Sequence, residues 1–253
     1  MITLDAEKIR DFRGCRYLYK AKHIDNIKQK QVYTGVNLLP SQYQEAVKKT
    51  IKFFYFEVMN GTIPSYKEVV KKFEKLWLKQ KTVSEIINDE NYPQKNIHYY
   101  TTEGTKVISS FYNSNYKNPG DVLLLSEDYH MPLNSDVLIT GTIDLAIKKN
   151  NKIILPIYST NGKTYFSEGS EGYYKAILDT IAATDKLSTS PNFTSIFCFK
   201  NGKITEDNIV IDKLKIRQLN DISLEMNECK RFLPNHNYYW CNKCNVSKIC
   251  SKW

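Results

Sequence analysis

Six cysteines stand at positions 15, 198, 229, 241, 244 and 250, and their placement constrains this chain more than any other feature. Three form a C-x2-C-x5-C tail (YYWCNKCNVSKICSKW), and Cys15 closes a compact helical motif near the start. If Cys15, Cys241, Cys244 and Cys250 act together, the fold has to bring the two ends of the chain to one point. Four thiolates suit a tetrahedral zinc or a cubane iron–sulfur cluster, and unligated thiols are the third possibility. Structural zinc usually draws on two close cysteine pairs, an arrangement from which one remote cysteine and C-x2-C-x5-C depart. Cys198, in an expected strand, and Cys229, in an expected helix, read as small buried residues.

The start MITLDAEKIRDFR lacks the apolar run of a signal peptide, and no stretch approaches the roughly 18 apolar residues of a membrane span. The expectation is a protein that stays in the cytoplasm, where cysteines serve as thiols or ligands rather than as a disulfide framework. The net charge of +9 suits a polyanionic partner, but only five residues are Arg. The abundance of Lys, Asn, Ile and Tyr is also what an AT-rich genome produces without selection for nucleic-acid binding.

Helical spacing of apolar residues predicts a short helix delivering Cys15 beside a break at Gly14, then helices over Ser41 to Asn60 and Tyr66 to Gln80, separated by Gly61 and Pro64. Another is expected around Gly104 to Tyr112. From Asp121 the pattern changes to β-formers: VLLLSEDYHMPL, DVLITGTIDLAIKK and KIILPIYST predict a three-stranded meander turning at Asn150-Asn151. A helix is expected over Glu171 to Leu187, a hairpin turning at Asn201-Gly202, and a last helix from about Leu214 to Phe232. The 42% hydrophobic content is enough for one α/β domain spanning 1–253, with a mixed sheet flanked by helices. Its parts are a mainly helical stretch (1–118), a core (119–212) and a C-terminal helix with the cysteine tail (213–253).

FRGCRYLYK resembles the segment that opens RecB-family nuclease domains, and C-x2-C-x5-C resembles the tail of their iron–sulfur branch, the AddB-type and CRISPR-adaptation nucleases. LLLSEDYHMPLNSDVLITGTIDLAIKKNNKIILPIYST resembles the PD-(D/E)XK core of that family: an edge strand with Glu127, a strand ending G-x-I-D (Gly141 to Asp144), and a third strand. The resemblance implies a restriction-endonuclease-like fold and a 4Fe-4S cluster on Cys15, Cys241, Cys244 and Cys250, with zinc as the alternative.

Such nucleases hold a divalent ion with two acids and use a lysine to orient water. Asp144 matches the first acid. Where the family reads acid-x-Lys the chain reads Pro156-Ile157-Tyr158, Ser41 to Asn60 contains no histidine, and Glu171 to Leu187 lacks the usual Gln. A proline in a central strand also predicts a bulge or an edge. The reading is therefore a pseudonuclease, Asp144 being a remnant or a turn-capping residue. It would bind DNA or serve a DNA-processing or transcription complex, and its composition, size and decayed site suggest a viral or mobile-element source. One alternative is an active Mg²⁺- or Mn²⁺-dependent nuclease in which Lys163, with Glu168 or Glu171, supplies the lost groups. Another is a protein-binding scaffold without DNA contact. Arg10, Arg13, Arg16, Lys148, Lys149 and Lys163 are the expected DNA contacts, with Tyr173 and Tyr174 placed to stack on bases.

Overall fold

A computed structural model of the chain describes residues 2–27, 35–80, 83, 95–159, 166–200, 203–235, 241, 244 and 250, with backbone alone at 35–38, 95–96, 199–200 and 203–204. The sheet is organised around one long strand. The meander expected from Asp121 onward consists of β2 (Asp121–Asn134), β3 (Val137–Lys149) and β4 (Lys152–Ser159). Asn150 and Asn151, which join β3 to β4, take φ values of 51° and 60°, the left-handed pair that a tight hairpin needs and Asn tolerates. An N-terminal strand that the sequence did not suggest, β1 (Ile2–Leu4), lies parallel to β3, with Ile2 opposite Val137.

Beyond β4 the chain crosses over through a helix and returns as β5 (Phe193–Lys200), parallel to β4. It then folds back as β6 (Lys203–Ile209), antiparallel to β5. The turn residues Asn201 and Gly202 lie outside the described residues, but Lys200 pairs with Lys203. The result is a six-stranded mixed sheet in the order β1-β3-β4-β5-β6, with β2 pairing β3. Glu127 therefore stands on an edge strand, as expected.

Helices cover both faces. On one, α3 (Gly35–Met59), α4 (Tyr66–Leu78) and α5 (Lys95–Asn115) enclose an aromatic core with Leu145, Ile147 and Tyr158 of the sheet. Helix α4 opens on a capping box between Ser65 and Glu68, the sequence signature of a helix start. Helix α5 runs well past the expected Gly104 to Tyr112. Gly104 is not a boundary: a Cβ there would stand 1.9 Å from Cζ of Phe73, so the glycine lets α4 and α5 pack closely.

On the other face lie α1 (Ala6–Gly14), α2 (Arg16–Tyr19) with a π turn (Lys20–Ile24), α6 (Glu171–Leu187) and α7 (Lys213–Glu228). Helix α6, the β4–β5 crossover, has the expected bounds and is buried nearly all round. Tyr173 and Tyr174 sit in its core contact and are 8% and 4% exposed, so they are packing residues rather than a stacking platform. Helix α7 stops at Glu228, short of Phe232, and Cys229 is its C-cap in extended conformation. No described helix is long and apolar enough to cross a membrane.

Candidate functional site

A strand has two edges, and the pairing of β3 uses them unequally. Strand β2 follows one edge from Val137 to Lys148. The other edge holds β1 at Val137, Leu138 and Ile139 and β4 at Ile147, Lys148 and Lys149, so residues 140–146 have no strand partner on that side among the described residues. Pro156 falls where β4 has parted from β3. It keeps its register on the β5 side, opposite Ser195, without a bulge, and its missing N–H costs no pairing toward β3.

Asp144 stands in this gap. The alternation of β3 breaks there: Ile143 and Ala146 pack on the α6 side, Leu145 and Ile147 on the α3–α5 side. Across from it on β2, between the Leu125–Leu145 and Glu127–Ile143 pairs, Ser126 has a φ of 53°. The kink leaves the Asp144 side chain 48% exposed at the open edge, with the Lys175 ammonium 3.5 Å from its Oδ2.

Helix α6 reaches the gap with Lys175 and Asp179, one turn apart on one face. Nζ of Lys175 donates to the Thr142 carbonyl at 2.7 Å, an acceptor left free by the missing strand, and to Oδ2 of Asp179 at 2.7 Å. The Tyr129 hydroxyl donates to the other Asp179 oxygen at 3.1 Å. To reach it the Tyr129 ring lies over Gly141, its cross-strand partner, where a Cβ would meet the phenolic oxygen at 2.4 Å. The glycine of G-x-I-D is thus needed by Tyr129. Burial drives the Asp179 carboxyl up to about 6 against the pull of Lys175. Burial works to lower the Lys175 ammonium, but Asp179 and Asp144 hold it above its ordinary value.

The expected acid-x-Lys positions do not face Asp144. Tyr158 points into the α3–α5 core, where its hydroxyl meets that of Tyr55 at 3.1 Å. Extending the Ile147–Ile154 pairing puts Ile157 across the gap from Asp144, and Ile157 and Leu155 are the residues of β4 that pack on the α6 side. Neither is an acid or an amine, so the family's motif is absent from that side as well. Glu127 is held by Lys186 at 2.7 Å. Glu171 pairs with Arg10, Glu168 is exposed, and Lys163 lies outside the described residues. Lys175, the amine that stands beside Asp144, was not singled out in the sequence.

The other candidate site lies where the chain ends meet. Cys15 takes an extended conformation (φ −160°) between α1 and α2. The Asn235 amide donates to its Sγ at 3.4 Å and the Asn235 side chain to the Gly14 carbonyl at 2.8 Å, while Sγ of Cys241 donates to the Asn235 carbonyl at 3.5 Å. The Cys244 amide bonds the Cys241 carbonyl at 3.1 Å. Cys15 and Cys241 therefore converge on one residue from opposite ends of the chain, and Cys250 is half-buried. An open pocket of about 250 Å³ adjoins Cys15 and Asn235, lined also by Phe12, Arg13, Glu225 and Leu233. The donors available are thiols, which fit an iron–sulfur cluster or zinc. Among the described residues no three His, Cys, Asp or Glu side chains gather closely enough to hold a metal ion. Cys198 is buried in β5, and Cys229 is half-buried with Sγ toward the Arg231 carbonyl at 3.4 Å.

The expected arginine surface is occupied by carboxylates. Arg10 pairs with Asp11, Glu7 and Glu171, and Arg13 and Arg16 both pair with Glu225. Asp11, 3% exposed, also receives Lys22 and His23. Burial would raise its carboxyl, but hydrogen bonds from Arg10 and His23 hold it below the usual range. Lys148 and Lys149 sit at the tip of the β3–β4 hairpin beside Lys152, which lies over the Phe193 ring.

No family model and no curated protein matches this chain. Among solved structures, the crystal structure of SSO0001 is similar at 15% identity and a TM-score of 0.34, over 93% of this chain and 94% of that one. A likeness at that level carries no argument about fold or function.

Proposed function

We propose that this chain is a catalytically degenerate, RecB-like iron–sulfur domain that binds DNA or serves as a subunit of a DNA-processing or transcription complex. The observation that carries the reading is the convergence of Cys15 and Cys241 on Asn235. A cluster bound by Cys15, Cys241, Cys244 and Cys250 would supply a covalent tie between the chain ends, closing a loop of more than 200 residues. Asn235 holds the Cys15 segment in place, and Glu225 fixes Arg13 and Arg16 on either side of it. Support for degeneracy comes from β4, where Leu155 and Ile157 stand on the Asp144 side. With Arg10, Arg13 and Arg16 neutralised, phosphate contact falls to the basic hairpin tip of Lys148, Lys149 and Lys152.

Anaerobic purification with iron and sulfide analysis tests the cluster: about four irons per chain are expected, and zinc alone would overturn it. Cys15→Ala should lose the iron, while Cys198→Ala and Cys229→Ala keep it. DNA binding should weaken steeply with salt, and Lys148→Ala with Lys149→Ala should flatten that dependence by about one unit of slope per lost phosphate contact. No binding even at low salt would favour the scaffold reading. Metal-dependent cleavage that disappears with Asp144→Ala would show an active nuclease instead.

A further inference from the structure

The Lys175 ammonium has an unusual set of neighbours for a side chain on a helix. It lies 2.7 Å from the Thr142 carbonyl, 2.7 Å from Oδ2 of Asp179 and 3.5 Å from Oδ2 of Asp144. Asp179 is 3% exposed and its remaining oxygen is taken by Tyr129, so the carboxylate cannot turn away. A main-chain carbonyl and two carboxylates, held by a strand and a helix at the open edge of β3, form the donor set that hard cations select. Here the group inside it is the chain's own ammonium.

We propose that Lys175 is the resident cation of this site and that it excludes a divalent ion. Two carboxylates give the site a charge of −2, and the ammonium offsets half of it. A divalent ion entering beside Lys175 would meet that positive charge at a few ångströms, against the buried side of Asp179. It would also compete for oxygens already bonded. On the degenerate-nuclease reading, and only there, the change at Asp144 is a substitution of one cation for another, not merely a loss of ligands. The vacated donors would still bind a divalent ion if the lysine were neutralised. The inference concerns Asp144 and its neighbours only, and it stands or falls separately from the cluster and from DNA binding.

The test is a Mn²⁺ titration of the full-length chain followed by electron paramagnetic resonance, with circular dichroism as the check on folding. Wild type is expected to leave Mn²⁺ free at millimolar concentration. Lys175→Met should bind it at least about tenfold more tightly than wild type, and adding Asp144→Asn should return binding to the wild-type level. Lys175→Gln, which retains a donor for the Thr142 carbonyl, serves where Lys175→Met does not fold. Mn²⁺ binding by wild type that Asp144→Asn abolishes would overturn the proposal. So would a folded Lys175 variant that binds no better than wild type. If neither variant folds, the wild-type arm decides, together with reductive methylation: a resident ammonium stays unmodified while exposed lysines react, and methylation of Lys175 in the folded protein would refute the assignment.

Discussion

The two faces of the sheet are built from different chemistry. Toward α3, α4 and α5 the core is aromatic and largely apolar. Phe54, Tyr55, Phe111 and Tyr158 meet edge to face, and the polar contacts among them include the Tyr55–Tyr158 pair and the Tyr55–Asn115 bond. Toward α1 and α6 the core is crossed by charge: Asp11 with Arg10, Lys22 and His23, then Lys175 with Asp179 and Asp144. Buried ion pairs add little net stability, because desolvation cancels most of the attraction. Both faces bury a hydrophobic cluster that stabilises the fold, and the charged face spends part of its share to hold groups in fixed positions at the parted strands.

That contrast is sharpest in the response to truncation. Phe111→Ala removes a ring in contact with Phe54, Tyr55 and Tyr158, and should cost about 3–5 kcal/mol in urea unfolding. A loss below about 1 kcal/mol would mean that the aromatic face does not carry the fold.

The charged face should instead show itself through pH. The Asp179 carboxyl titrates at about 6 in the folded chain against an ordinary value of 3.8, because of burial. Between those values the folded chain keeps a proton that the unfolded chain has released. The contribution of Asp179 to stability therefore falls as pH rises through that window, by about 3 kcal/mol in all. Asp179→Asn should abolish this slope, read as the difference in unfolding free energy between wild type and variant at several pH values. A constant difference would show that Asp179 is not the group held protonated.

Gly104→Ala tests how tightly the aromatic face is packed. The new methyl meets the Phe73 ring, and a loss of about 1–3 kcal/mol is expected despite the better helix propensity of alanine. A gain in melting temperature would mean that α4 and α5 have room between them. The smallest effect belongs to Tyr158→Phe, which deletes the hydroxyl meeting Tyr55 while Tyr55 keeps Asn115. A loss of about 1 kcal/mol is expected, with no pH dependence near neutrality.

Much of the architecture was legible because period and punctuation agreed. Helix α6 was bounded correctly, Ser170 capping its start, and the β2–β4 meander followed from alternation and the Asn150-Asn151 turn. Strand β1 was not legible: three residues leave no period to read, and Asp5 immediately caps the next helix. The extent of α5 was obscured by Gly104, which reads as a breaker but serves packing. At the site, Asp144 and the cysteines were visible from their motifs. Lys175 and Asp179 were not, because a Lys and an Asp one turn apart normally mark a solvated helix face. Only the gap in β3, a property of strands distant in sequence, puts them inside. The pairing of Arg13 and Arg16 with a carboxylate was hidden for the same reason: Glu225, their partner, lies more than 200 residues away.

The pairing of Ile2 with Val137 has a consequence for synthesis. Strand β1 leaves the ribosome well before its partner, which is translated on the order of ten seconds later at the usual rate of elongation. Until then its backbone donors face water, and α1 and the Cys15 thiol travel on an undocked leader. Asn235 is made later still, so the segment bearing Cys15 waits through more than 200 residues of synthesis for its partner. A chaperone or a thiol-reactive reagent acting on nascent chains would find that segment open until Asn235 has emerged.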